Sequence, residues 1–256
     1  MSAGATELVP HGWGDAPELY GPRHDYRESL MLRRFRALLP AGHVLNAGCG
    51  AGSFTLRLLD AGYDVTSVDA SEAFVERVRA LVRERGRAET SPVALADLHA
   101  LRFPADAFDG IVCGEVLEHL DDDRTAVREF ARVLRPGGAV IASVPANPWR
   151  YDWSDHWAGH RRRYTEDGLR ERFAGAGFGD VEVIAYGFPL LGLYHRQVYR
   201  RLLKRRLGAD GADLGAPTGA IKAISPLVRA AFELDTLFLG RRPGYFGLIA
   251  AARLPS

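Results

Sequence analysis

Cysteine is scarce: two in 256 residues, Cys49 and Cys113, far apart in the chain. That excludes a disulfide framework and a cysteine-rich zinc site, and it fits a reducing compartment, so a cytoplasmic location is expected. An excess of one charge is also lacking. Lys and Arg number 33 against 32 Asp and Glu, a net charge of +1. A bulk electrostatic footprint for nucleic acid is therefore not expected. No apolar run is long enough to cross a bilayer. The opening stretch, MSAGATELVPHGWGD, has no basic start followed by an apolar run, so no signal peptide is expected. Internal repeats are absent. What remains, with 47% hydrophobic and 25% charged residues, is the composition of a globular domain able to bury a sizeable core.

Within that composition, strand-like and helix-like segments alternate. After a Gly- and Pro-rich arm to about residue 22, HDYRESLMLRRFRALLP spaces its apolar residues as a helix and stops at Pro40. HVLNAG, YDVTSVD, PVALAD, AFDGIVCG, AVIASVP, DVEVIAYGF and GYFGLIAAARL read as seven strands. Helices are expected at SFTLRLLDAG, SEAFVERVRALVRERG, DDRTAVREFARVLRPGG and TEDGLRERFAGAGF. Such alternation predicts an α/β fold: a doubly wound, mostly parallel sheet covered by helices on both faces. About fifty residues of helical pattern before the last strand are too long for a connection. The expected division is an N-terminal arm and lid helix over 1–40, a core over 41–187 and 243–256, and a helical cap over 188–242.

LNAGCGAGS, residues 45–53, is the first strand-to-helix turn. In an open α/β sheet, ligands bind beyond the carboxyl ends of the strands, near the switch in strand order. Gly48, Gly50 and Gly52 can bring bare backbone against a ligand, and the helix after them offers free N–H groups. A ligand-free tight turn is the plain alternative. The spacing G-C-G-A-G-S is one residue tighter than the dinucleotide pattern G-x-G-x-x-G, and no Walker lysine follows. Asp69 ends the next strand, where a carboxylate can hold a ribose diol or merely cap a helix. Asp97 ends the third strand; it can accept from an adenine amino group beside Leu98, or cap a turn.

VLNAGCGAGSF, VTSVDAS, ALADLHALRFPADAFDGIVCGEVLEHL and VLRPGGAVIASVP, in that order, resemble the successive motifs of class I S-adenosylmethionine-dependent methyltransferases, of the small-molecule kind called type 11. The resemblance covers roughly residues 38 to 188. It implies S-adenosylmethionine as cofactor, with the glycine loop facing its methionine part and ribose. The acid matching Asp69 would bind the ribose hydroxyls and that matching Asp97 the adenine, while Cys113 and Gly114 would border the methyl donor. The implied cofactor set is Asn46, Ala47, Gly48, Gly50, Gly52, Asp69, Ala70, Asp97, Leu98, Cys113 and Gly114. Asn46 stands where the family commonly has an acid.

Acid–base candidates follow the fourth and fifth strands. In EVLEHL, Glu115, Glu118 and His119 share a face on a helical turn. They fit a base, a divalent metal held by both carboxylates and the imidazole, or support of the loop, and no metal is assigned. In WRYDWSDHWAGHRRRYTEDGL, Trp149, Trp153 and Trp157 recur every four residues, as do Asp152, His156 and His160. A continuous helix would stack one aromatic stripe beside one Asp/His/His stripe, though Pro148 and Gly159 oppose it. His156 or His160 is a candidate base. Arg162, Arg163 and Tyr164 are candidates to meet an anionic or hydroxylated acceptor, or else they simply lead into the next helix.

Around 190–207, Leu191, Tyr194, Val198 and Leu202 make an apolar stripe beside Arg196, Arg200, Arg201, Lys204, Arg205 and Arg206. This is a cap helix with a cationic face or one that touches a membrane surface weakly. The expected function is methyl transfer to a small-molecule acceptor, aromatic or lipid-linked among the options, at oxygen in preference to nitrogen or carbon. His119, His160, Glu115, His156 and Tyr164 are the candidate catalytic residues. The alternatives are an NAD-dependent dehydrogenase and a non-catalytic S-adenosylmethionine-binding protein.

Overall fold

The computed structural model describes residues 21–201, 227–239 and 245–256. Seven strands form one sheet: β1 (His43–Ala47), β2 (Asp64–Asp69), β3 (Val93–Leu95), β4 (Phe108–Gly114), β5 (Leu134–Pro145), β6 (Gly179–Tyr186) and β7 (Gly247–Arg253). Their order is β3-β2-β1-β4-β5-β7-β6. The first five run parallel, and β7 lies antiparallel to both β5 and β6. The order reverses between β1 and β4, so the crevice at their carboxyl ends is where a ligand belongs.

Each helix begins where its sequence supplies a start. α1 (Pro22–Leu38) opens on a proline, whose missing N–H costs nothing at that position, and ends before Pro40. α2 (Ser53–Asp60) follows the glycine loop directly. The Ser71 hydroxyl caps α3 (Glu72–Glu84), Asp122 caps α4 (Asp123–Val133) and Thr165 caps α6 (Glu166–Ala174). α5 (Trp153–Trp157) is one short turn closed by a capping box between Asp152 and Asp155. α7 (Leu190–Tyr194) starts on the carboxylate of Asp235, which accepts from the Leu190 and Leu191 N–H groups at 2.9 Å each.

The core has two halves, one per face of the sheet. Leu45, Phe108, Ile111, Phe130 and Phe173 pack under α4 and α6. Tyr26, Phe35, Val44, Tyr63, Ile141 and Phe232 pack under α1 and α2. α1 therefore contributes to the core itself, burying Tyr26, Leu30, Met31 and Phe35.

Two expectations need correction, and the continuous helix that Pro148 and Gly159 opposed is absent. The helix expected from Asp122 to a stop at Pro136 and Gly137 ends earlier, at Val133, and residues 134–138 are already in β5. Pro136 disfavours helical backbone at Arg135, which instead extends to reach the Asp109 carboxylate. The tryptophan stripe does not form, because α5 is five residues long and Gly159 turns the chain at φ 72°. Trp157 is buried, while Trp149 is 72% exposed. The apolar stripe of the cap breaks at Val198, which is exposed although Leu191 is buried. Residues His195–Tyr199 wind as a π-helix, and its wider turn rotates Val198 off the α-helical face. Leu202, Lys204, Arg205 and Arg206 lie outside the described residues, as do the arm before residue 21 and the middle of the expected cap.

Candidate active site

The glycine loop links β1 to α2. Gly48 and Cys49 donate their N–H groups to the Val68 carbonyl at 2.9 Å, so the loop hangs on the end of β2. Gly48 has φ 76°, and a Cβ there would lie 2.4 Å from a methyl of Val116. Both facts require glycine. Gly50 donates to Asp69 Oδ2 at 2.8 Å, and Asp69 Oδ1 accepts from the Ser71 N–H at 2.9 Å. One carboxylate thus ties the glycine loop to the start of α3. A carboxylate oxygen can accept more than one hydrogen bond, so these contacts are compatible with a hydroxyl donor at the same group. Both bonds to Asp97 come from His99 and fall on Oδ1; the side chain is 67% exposed. The turn leaves Oδ2 toward solvent, able to accept from an amino group.

These features fit an adenosine lying over the tips of β1, β2 and β3. Ala47 is buried at the end of β1, and Ala70 is exposed beside Asp69. Gly52 has φ 93° and opens α2. Cys113 and Gly114 close β4; burial pushes the Cys113 thiol far up, so it stays protonated.

Two members of the expected cofactor set are otherwise engaged. The Asn46 amide donates to the Thr55 hydroxyl at 2.9 Å, and Thr55 bonds Ser67 at 2.9 Å. The amide therefore fastens β1 to α2 and β2 below the loop. Leu98 is 6% exposed and packs in the core, so it has little surface for a base.

α1 closes over the same loop. His24 Nε2 lies 3.0 Å from the Ser53 hydroxyl, and that hydroxyl donates to Glu28 Oε1 at 2.5 Å. Arg57 of α2 donates to Glu28 Oε2 and to Asp25 Oδ1, each at 2.8 Å. Burial alone would raise the Glu28 carboxyl, but His24, Arg27 and the Ser53 hydroxyl outweigh it and hold it at about 2. Sequence reasoning missed this cluster. Its only signal was the spacing of His24 and Glu28, four apart on α1.

The acid–base candidates gather beyond β4 and β5. Glu115 follows β4 with φ 58°, and Asn147 follows β5 with φ 67°. Such left-handed backbone costs energy in non-glycine residues, and it concentrates at functional sites. Glu115 Oε1 accepts from Ser143 at 3.0 Å, and Oε2 is 3.8 Å from Arg27 of α1. Glu118 is fully buried, and neither of its oxygens has a hydrogen-bond partner. Burial first, and the charge of Glu115 next, push its carboxyl well up.

His160 Nδ1 sits 2.8 Å from Asp155 Oδ1, while Nε2 faces Glu118 Oε1 at 3.9 Å. The buried Asp155 also accepts from Arg163 at 2.8 Å and from the Asp152 N–H at 2.9 Å. Burial would raise it, but these bonds hold its carboxyl at about 2. An ionised Asp155 fixes the Nδ1–H tautomer of His160 and leaves Nε2 as an acceptor. His119 stacks edge-on against His160 with ring centres 4.9 Å apart. Burial, then the neighbouring His160, lowers its imidazole to about 4. Glu118, His119 and His160 each offer a ligand atom, all within 4.8 Å of one another, so this donor set could hold a divalent cation.

The stripe expected from Asp152, His156 and His160 is therefore replaced. Asp155, which sequence reasoning passed over, is the partner of His160, and Asp152 caps α5. His156 is exposed and packs on Tyr151, away from the cluster. Tyr164 is also displaced from the site: its buried hydroxyl donates to Asp123 at 2.7 Å. Arg172 joins the same carboxylate at 3.0 Å, and Arg162 lies 3.3 Å from it, so this trio anchors α4 to α6.

Residues 45–142 match the family model described as a methyltransferase domain. The malonyl-acyl-carrier-protein O-methyltransferase of Halorhodospira halophila is 33% identical over 187 residues, spanning 70% of this chain and 61% of that protein. The ubiquinone biosynthesis O-methyltransferase of Thiobacillus denitrificans is 33% identical over 141 residues, 54% of this chain and 60% of that one. The chain thus spans about three fifths of the length of these relatives. Among solved structures, the cyclase SpnF superposes with TM-score 0.64 at 24% identity, over 96% of this chain and 87% of its own. Phosphoethanolamine N-methyltransferase 2 of Haemonchus contortus, solved with S-adenosyl-L-methionine, gives 0.62 at 16% identity, over 89% of this chain and 53% of its own. Those two likenesses concern the fold alone. With the family match, the strand order and the ordered motifs, the chain contains a class I S-adenosylmethionine-dependent methyltransferase domain. The cofactor of that family is S-adenosylmethionine.

Proposed function

We propose that this protein methylates an oxygen of a small-molecule acceptor. The observation that carries the reading is the Asp155–His160 pair set beyond β4 and β5, on the crevice that the glycine loop and Asp69 also border. Both relatives described above are O-methyltransferases, which favours oxygen. Bound there, S-adenosylmethionine supplies an activated methyl group. Asp69 holds the ribose and Asp97 the adenine, while the loop at Gly48 and Gly50 lies against the methionine end. His160 Nε2 would accept the proton of the acceptor hydroxyl as its oxygen bonds the methyl carbon and the carbon–sulfur bond breaks to leave the neutral thioether, and Asp155 would stabilise the imidazolium that results. α1 over residues 22–38 acts as the lid, and the parts of the cap around 190–201 and 227–239 cover the acceptor side.

The experiment pairs calorimetry with turnover. Saturable binding of S-adenosylhomocysteine is expected, and labelled methyl transfer is assayed against malonyl thioesters and catechols. His160→Gln should keep nucleoside affinity and lose about 100-fold or more in kcat, the usual worth of a positioned base. Binding without transfer to any acceptor would favour a non-catalytic binder, and the cyclase with this fold makes that control necessary.

One observation favours a second reading of the same cluster. Both oxygens of Glu118 are buried without a partner, and a divalent cation on Glu118, His119 and His160 would satisfy them and polarise the acceptor hydroxyl. Activity lost on dialysis against chelator and restored by magnesium, manganese or zinc supports it; full activity in chelator dismisses it.

A further inference from the structure

A cavity of about 280 Å³ opens beside this cluster, walled by Trp149 and Phe246 and lined by Arg150, Arg163, Arg196 and Arg200. Among the described residues, four arginines line one small space against a single lining carboxylate, Asp152. Asp152 is already spent: it lies 3.0 Å from Arg200 and caps α5. Arg163 is bound by Asp155 and by the Ala146 carbonyl at 3.2 Å. Arg196 has no carboxylate partner among the described residues. Arg150 touches the Tyr245 carbonyl at 3.4 Å; burial, then Arg196 and Arg163, press its guanidinium toward losing its charge.

Like charges gathered in a partly enclosed space repel one another, and a fold keeps them together where an anion completes the set. The wall adds another donor. His195 Nδ1 lies 2.9 Å from Arg23, and arginine can only donate, so the His195 proton sits on Nε2. Arg23 itself is held over the rings of Tyr199 and Phe246 at 4.1 and 5.2 Å. The space is too small for a whole drug-sized ligand and ample for one charged group.

We infer that this arginine cavity binds the anionic group, phosphate or carboxylate, of the methyl acceptor. The word acceptor rests on the methyltransferase reading above; the anion site does not. The connection to chemistry is Asp155, whose Oδ1 takes both Arg163 Nε and His160 Nδ1 at 2.8 Å. An anion drawn onto Arg163 and Arg150 would therefore be anchored one side chain away from the base. Fork-shaped guanidinium groups suit either oxyanion, because both present paired oxygens.

The test uses tryptophan fluorescence, since Trp149 stands at the cavity, with pyrophosphate, inorganic phosphate and malonate titrated at constant ionic strength and sodium chloride as control. Saturable binding of at least one anion is expected; preference for pyrophosphate or phosphate identifies a phosphorylated acceptor, and preference for malonate a carboxylated one. Arg150→Gln with Arg196→Gln should weaken that binding at least tenfold. Arg161→Gln, on an exposed residue paired with Asp121 outside the cavity, should leave it unchanged. Should the double variant melt early, Arg196→Gln alone, at an exposed position of the π-helix, should still weaken binding threefold.

S-adenosylhomocysteine affinity is measured on every variant and should be unaltered. No saturation beyond the chloride effect, or equal binding by the arginine variants, overturns the site. Competition between pyrophosphate and S-adenosylhomocysteine would reassign the cavity to the cofactor's own carboxylate and overturn the acceptor role. Failure of the nucleoside to bind at all would instead sink the methyltransferase reading, with the anion titration still readable.

Discussion

At the carboxyl end of β2, Asp69 joins three things through two oxygens: the glycine loop, the start of α3 and the expected ribose. Asp69→Ala removes charge-assisted bonds worth roughly 1.5–3 kcal/mol each. The affinity for S-adenosylhomocysteine should fall about 10- to 100-fold in calorimetry, while far-ultraviolet circular dichroism keeps its shape. Gly48 makes a different demand. An alanine there must hold φ near 76° and push against Val116, whose methyl lies 2.4 Å from the new carbon. Strain and displacement should cost about 1–3 kcal/mol of stability. Gly48→Ala should therefore lower both the urea midpoint and nucleoside affinity, whereas Gly62→Ala, with φ 90° and open space around it, should touch stability alone.

The residues that the sequence made legible are those fixed by local order. The glycine loop follows β1, Asp69 ends β2 and Asp97 lies two residues past the end of β3, and alternation alone places these strand ends side by side. His160 was legible as a candidate, but its partner was not: period-four counting pointed to Asp152, and the five-residue length of α5 brings Asp155 instead. Tyr164 and Asn46 illustrate the opposite limit. Nothing local tells that Asp123, 41 residues away, will claim the Tyr164 hydroxyl, or that Thr55 will claim the Asn46 amide.

Among elements, α1 has the double duty of core packing and bracing α2, and the lid is its proposed role. Its inner face buries Tyr26 and Phe35, and its N-terminal half carries His24 and Glu28 onto α2. Glu28→Gln keeps the shape but loses the charge that Arg57 and His24 satisfy. Breaking a buried pair from one side costs about 3–5 kcal/mol. The expected result is a lower melting temperature and faster amide exchange over residues 22–38 and 53–60. Arg33→Gln is the matched control: its partner Glu233 lies 3.0 Å away at the surface, and an exposed pair is worth under about 1 kcal/mol. Elements of regular period were readable in the sequence to within a few residues. The cap was not, because its π-helical segment follows neither the α nor the β period, and its faces are set by contacts with α1 and β6.

For the molecule as a whole, Glu28 and Asp155 make acid the decisive stress. Both are buried carboxylates that stay ionised: Glu28 sits at about 2 against an ordinary 4.5, and Asp155 at about 2 against 3.8. In the unfolded chain each takes up a proton near its ordinary value, so the unfolded state binds more protons through the window below it. Stability from these two groups is complete above pH 4.5 to 5 and falls as the pH drops toward 2. Each shift corresponds to roughly 2–3.5 kcal/mol, a large share of the stability of a domain. Urea midpoints should hold steady from pH 7 to 5 and then decline steeply to pH 3. In Glu28→Gln the starting midpoint is lower and the decline shallower, because one of the two protons no longer has to be bound. A variant that keeps the full wild-type slope would mean that Glu28 is not the group titrating, and the charge pairing assigned to the α1–α2 contact would have to be abandoned.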